Sequence, residues 1–152
     1  MKKILKFTAI LLILTSSFTC EKEEEEKMIE IPFTEYSLVG TSCQWTNLDY
    51  EGKVIVINSN EELAQYVICT EGSYPEIDFS KNTLLLARGG TTWGIASLSK
   101  NVFNTGKNKY IIEVEIILND ATVAQGWHIC IIISTKLNAA DNVELKVNTI
   151  RN

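Results

Sequence analysis

Apolar residues in this chain recur mostly at every second position. Tyr110, Ile112, Val114, Ile116 and Leu118 share one face of an extended segment while Glu113 and Glu115 fall on the other, the alternation of a half-buried strand. Val143, Leu145 and Val147 alternate with Glu144, Lys146 and Asn148 in the same way and predict a last strand. Trp127 to Ile133 is apolar on both faces and rich in β-branched residues, which predicts a central strand covered on both sides. Leu38 to Trp45, Lys53 to Ile57, Thr83 to Ala87 and Ile95 to Phe103 supply further strands, joined by Gly- and Asn-rich segments suited to turns. Between Asn104 and Asn108, Gly106 offers the positive φ that a tight hairpin needs.

One stretch has a different period. From Ser59 to Ile68, Ser59 and Glu62 have capping-box spacing and Leu63, Tyr66 and Val67 fall on one helical face, predicting a short helix packed on the sheet or closing the mouth of a barrel. The expected fold is therefore mainly β: a single antiparallel sheet curled into a barrel or sandwich, with one short α-helix. A chain of 152 residues has room for one such domain beyond an N-terminal segment. That domain is expected to be monomeric.

The N-terminal segment has its own layout. Lys2, Lys3 and Lys6 precede an unbroken apolar run from Ala9 to Leu14, then Thr15, Ser16 and Ser17, and the run is too short to span a bilayer. This is the three-part plan of an export signal, and small polar residues leading to Cys20 resemble a lipoprotein cut site, with Phe18 and Thr19 departing from the usual Leu-Ala-Gly pattern. The resemblance implies a lipid on the Cys20 thiol. After it comes an acidic run from Glu21 to Glu26, whose Lys22-Glu23-Glu24 core resembles the surface-export signal of lipoproteins from the Bacteroides group. That likeness implies an outer-membrane anchor and a domain facing the cell exterior. A block of like charges also makes a solvated, disordered tether. The expected organisation is a signal over 1–19, a tether over 20–32 ending at Pro32, and a globular domain over 33–152.

Cleavage before Cys20 removes the three positive charges of Lys2, Lys3 and Lys6 and takes the formal charge from −5 to −8. A net negative domain repels phosphate backbones, which argues against nucleic acid as a partner.

With Cys20 given to lipid, Cys43, Cys69 and Cys130 remain. Outside the cytoplasm disulfides persist, so an odd count implies one pair and one thiol, or no pair. Cys130 sits in the apolar strand as a small hydrophobe, which leaves Cys43 with Cys69 as the expected disulfide. With no Cys-x-x-Cys and a single histidine, neither a metal nor a cofactor is implied.

Candidate catalytic groups are sparse. His128 and Cys130 project from one strand face, but a Cys-His dyad needs an activated thiolate, an orienting third group and substrate access, and both residues lie in the most apolar part of the chain. Burial of both side chains is expected instead. Asp49, Asp78, Asp120 and Asp141 fall on separate loops without acid/base or metal spacing. Arg88-Gly89-Gly90-Thr91-Thr92-Trp93-Gly94 lacks the Gly-Lys-Ser/Thr ending of a phosphate loop. It does combine close-approach glycines with arginine and tryptophan, the residue types of binding hot spots, so it is the expected contact loop. The alternative is a structural turn or bulge with Trp93 in the core. A second candidate, Asn119 to Gly126, leads into Trp127 on what is expected to be the same rim.

Asp78-Phe79-Ser80-Lys81-Asn82-Thr83-Leu84-Leu85-Leu86 and Gly89-Gly90-Thr91-Thr92-Trp93-Gly94, with weaker likeness through Ile133, resemble small Bacteroides lipoproteins whose domain is similar to the C-terminal domain of the protease-complex subunit PrcB. That pattern has Thr-Gly-Gly-Tyr where this chain has Gly89-Gly90-Thr91-Thr92. In loop chemistry, size and location the chain also resembles staphostatin-like inhibitors, which lay a Gly-containing loop through the cleft of papain-like cysteine proteases. The resemblance implies a non-enzymatic inhibitor or accessory factor of a secreted cysteine protease, with Gly89 and Gly90 in the cleft. Two alternatives stand beside it: a glycan or small-ligand module, favoured if Trp45, Trp93 and Trp127 share one rim, and a structural envelope lipoprotein, favoured if the Gly-rich segment packs flat.

Overall fold

Two strands carry side chains buried on both faces, and covering them accounts for the rest of the architecture. A computed structural model describes residues 28–139 and 141–151; the signal, Cys20 and the tether up to residue 27 lie outside the described residues. In chain order the elements are β1 (Ile29–Glu30), β2 (Phe33–Glu35), β3 (Cys43–Trp45), β4 (Val54–Ile57), α1 (Asn60–Leu63), β5 (Val67–Cys69), β6 (Thr83–Thr91), β7 (Ile95–Gly106), β8 (Lys109–Leu118), β9 (Gln125–Ile133) and β10 (Asn142–Arg151). Strands β6 and β9 pair antiparallel along their whole length and form the centre of a four-stranded sheet in the order β2-β9-β6-β4.

One face of this central sheet, carrying Leu85, Ala87, Ile129, Ile131 and Ile133, packs against a second four-stranded sheet, β1-β7-β8-β10. Strand β8 meets it with Tyr110, Ile112, Val114, Ile116 and Leu118, the apolar face of the alternating segment. The opposite face, carrying Leu84, Leu86 and Cys130, is covered by the β3–β5 ribbon, α1 and the loop residues Ile77 and Phe79. Hence there are two cores, one on each side of the central sheet. Leu84, Leu85, Leu86 and Ile131 are fully buried, and burial of each such side chain contributes about 1.5–3 kcal/mol of transfer free energy.

The described residues are mainly β with one short helix, and their sheets remain open, as in a sandwich. Among the described residues the expected single antiparallel sheet is instead three sheets, and β10 runs parallel to β8. The reason is connectivity: β9 leaves β8's sheet for the central one, so the returning strand enters beside β8 in the same direction. Folded structure also starts before Pro32, since Ile29 and Glu30 pair with Asn104 and Phe103 of β7.

The helix is shorter than its periodicity predicts. Ser59 caps it, accepting from Glu62 N at 3.1 Å, while Asn58 N donates to the Glu62 carboxylate at 2.6 Å. It ends at Leu63 because Val67–Cys69 is drawn into the ribbon with Cys43–Trp45, where Cys69 is disulfide-bonded to Cys43. Strand structure before Cys43 is also shorter than expected, because Leu38 O accepts from Thr41 N in a turn that places Gly40 at φ +86°. At the β7–β8 hairpin Gly106 has φ +86°, and Lys107 and Asn108 also take positive φ.

Candidate functional site

Residues 88–94 do not form one loop. Arg88, Gly89, Gly90 and Thr91 continue β6 and pair with His128, Trp127, Gly126 and Gln125 of β9, so only residues 92–94 turn. The expected contact loop is corrected accordingly: ladder pairing holds its first four residues flat. Gly89 is required there because the Trp127 indole crosses it, and a Cβ would stand 2.8 Å from Trp127 Cε2. Arg88 is equally committed, since its guanidinium donates to Leu48 O and its own carbonyl accepts from Gly52 N at 3.1 Å. It anchors the 48–52 segment to the sheet.

The turn that remains is tied to the second candidate segment. Gly94 N donates to Ala121 O at 2.8 Å, Asn119 N donates to Gly94 O at 2.9 Å, and Ile95 N donates to Gln125 Oε1 at 2.8 Å. Thr91 Oγ1 lies 2.6 Å from Trp93 O and 3.2 Å from Gln125 O, within donating distance of both. Gly94 is buried because this junction leaves no space: a Cβ would meet Asn119 Oδ1 and stand 3.1 Å from Ala121 Cβ. Residues 92–94 and 119–126 therefore form one hydrogen-bonded rim at the end of the central sheet. On it Thr92 and residues 119–126 are exposed, with Val123 at 66%. Trp93 is half-buried, and the Arg151 guanidinium stacks 3.6 Å from its ring centroid. Local pattern could not have found Arg151, because the contact joins the end of β10 to a turn far earlier in the chain.

The three tryptophans do not gather on one rim. Trp93 and Trp127 pack with the core between the four-stranded sheets, whereas Trp45 packs with the opposite core. Trp45 meets Tyr36 and His128 edge to face, with centroids 6.0 and 5.3 Å apart.

His128 and Cys130 share a strand face, but their environments differ. Cys130 is buried, whereas His128, two residues nearer the rim, is exposed despite the expected burial of both. The Tyr50 hydroxyl hydrogen-bonds His128 Nε2 at 2.5 Å, and His128 Nδ1 faces Cys130 Sγ at 3.5 Å. Desolvation, then the Arg88 charge, holds the imidazole pKa below its usual value and favours the neutral ring. With the tyrosine donating to Nε2, the ring proton is assigned to Nδ1. Burial, then the Glu35 charge, pushes the Cys130 thiol up to about 12, although Lys100 acts in the opposite direction. A thiol at that value is protonated at neutral pH, and its neighbour is a neutral imidazole without the charge that would stabilise a thiolate. The pair lacks the electrostatics of an activated nucleophile.

Asp78 accepts from Ser80 N at 3.0 Å and Ser80 Oγ at 2.5 Å, bonds that lower its pKa and close a surface turn. Among the described residues no three His, Cys, Asp or Glu side chains gather as a metal site, and no helix is long and apolar enough to cross a membrane. Compared with protein-family models, with curated proteins and with solved structures, the chain gives no match.

Proposed function

We propose that this chain is a lipid-anchored, non-enzymatic binding protein held outside the cytoplasm on the outer membrane, with the rim of residues 92–94 and 119–126 as its contact surface. The observation that carries this reading is the hydrogen-bonded junction of Gly94 with Asn119 and Ala121, which presents the exposed Val123 on a braced loop. A braced loop loses little conformational entropy when a partner docks. The most concrete partner is a secreted cysteine protease. Because Gly89 and Gly90 are held in the β6–β9 ladder, the rim engages such a partner in place of a glycine-bearing strand threaded through its cleft.

The test is a pull-down of the chain from the secreted and envelope proteins of its own bacterium, beside a Val123→Asp variant, with protease activity titrated. Recovery of a cysteine protease whose activity falls stoichiometrically, and whose capture Val123→Asp abolishes, supports the proposal. Capture unaffected by Val123→Asp removes the rim from it. A second reading, a structural envelope lipoprotein, is favoured by the flat packing of Arg88–Thr91, and recovery of no protein at high chain concentration would select it.

A further inference from the structure

Strand β10 closes one side of its sheet with ten residues in unbroken parallel register to β8, and among the described residues no strand is paired with its other edge, although β4 of the central sheet comes close to it. Long regular edges are ordinarily blunted by proline, a bulge, an inward-pointing charge or charged side chains along the edge, and of these β10 carries Glu144 and Lys146 on its outer face. Along β10 there is no proline and no register shift, and the one charge on its inner face, Arg151 at the far end, is stacked on Trp93.

The orientation of its backbone follows from one bond. Asn142 sits opposite Lys109, and its N–H donates to Asn108 O at 2.8 Å, so Asn142 directs its backbone groups toward β8. Strand alternation gives Glu144, Lys146 and Asn148 the same direction and turns the N–H and C=O groups of Val143, Leu145 and Val147 outward. Those three side chains lie on the inner face, where Val143 and Leu145 are half-buried against the core and Val147 is 46% exposed.

The sequence along this edge reads Asn142-Val143-Glu144-Leu145-Lys146-Val147-Asn148, which is symmetric about Leu145 except that Glu144 is mirrored by Lys146. Antiparallel pairing of two such strands about Leu145 sets Leu145 opposite Leu145, Val143 opposite Val147 and Asn142 opposite Asn148. It also sets each Glu144 opposite Lys146 of the second copy. The residues with outward backbone groups become the hydrogen-bonded pairs, and Glu144 and Lys146 each meet the opposite charge on the outer face. The two-fold axis repeats each contact, as an isologous interface requires.

We propose that the partner of this edge is a second copy of the chain, and that β10 pairs antiparallel with β10 about Leu145 to join the two outer sheets into one. This replaces the expectation of a monomer and is independent of the rim's partner.

The experiment is sedimentation equilibrium of the full chain in a non-ionic detergent, for the wild type, Glu144→Lys, Lys146→Glu and the double exchange. Each single reversal turns both attractive pairs repulsive and is expected to raise the dimer dissociation constant about tenfold. The double exchange restores opposite charges across the axis and is expected to recover wild-type dimerisation. Lys146→Glu also places a glutamate beside Glu113 of β8 within one chain, and the double exchange keeps that change, so its recovery isolates the contact between copies. Circular dichroism of every variant checks that the fold is intact. A wild-type chain that stays monomeric into the millimolar range, or a dimer indifferent to both single reversals, overturns the proposal.

Discussion

The Trp127 indole lies across Gly89, its partner in the β6–β9 ladder, so closely that a Cβ at position 89 would enter the ring. This turns a glycine that reads as loop flexibility into a packing requirement. Gly89→Val is expected to destabilise the chain by about 1–3 kcal/mol through overpacking. At the adjacent Gly90 the nearest atoms to a Cβ are Glu51 Oε1 at 3.5 Å and Gln125 O at 3.8 Å, so Gly90→Val should change stability by less than about 0.5 kcal/mol. Urea unfolding of both variants checks the contrast, and equal losses would refute the role given to Trp127.

The Cys43–Cys69 disulfide ties the β3–β5 ribbon over the central sheet across a sequence separation of 26. Replacing both cysteines by serine should cost about 2–4 kcal/mol, chiefly by releasing the unfolded chain from a closed loop. Denaturant unfolding with and without reductant reports this, and reductant should leave the double variant unchanged.

Cys130 has the opposite chemistry. Its buried thiol, pushed up to about 12, should resist iodoacetamide at pH 8 in the native state and react once the chain is unfolded in guanidinium. Intact-mass measurement after timed labelling checks it. Rapid native labelling would mean that the core beneath the β3–β5 ribbon opens far more readily than its packing implies.

His128 gives the chain a pH dependence of defined sign. Its folded pKa lies below the usual 6.5, so the unfolded chain binds the proton more tightly. The associated stability is present above pH 6.5 and is lost as pH falls through the depressed folded value. Melting curves between pH 7.5 and about 5 should show a decline that His128→Gln flattens, a range above most carboxylate titrations. Parallel curves for the two proteins would exclude His128 as the source.

The strands around the cores were legible in sequence because burial of one face imposes a period of two, as in Tyr110 to Leu118, and burial of both faces removes polar residues altogether, as in Leu84 to Ala87 and Ile129 to Ile133. The cap at Ser59 and the turn at Gly106 were legible because each is closed by residues a few positions apart. Helix length was not: Val67 and Ile68 suit either state, and pairing with Trp45 and Gln44 decided for a strand.

At the candidate site the limits are similar. Arg88 to Gly94 holds glycines, arginine and tryptophan in any conformation, and nothing within those residues reveals that Trp127 covers Gly89 or that Arg151 covers Trp93. Such contacts depend on distant segments being brought together by burial, which local pattern does not encode. Periodicity thus determined which residues face a core, because water discriminates apolar from polar side chains position by position. The number of sheets, the parallel entry of β10, and the division of one glycine-rich stretch into ladder and rim were decided only by tertiary packing, where backbone hydrogen bonds and close contacts join residues with no local relation.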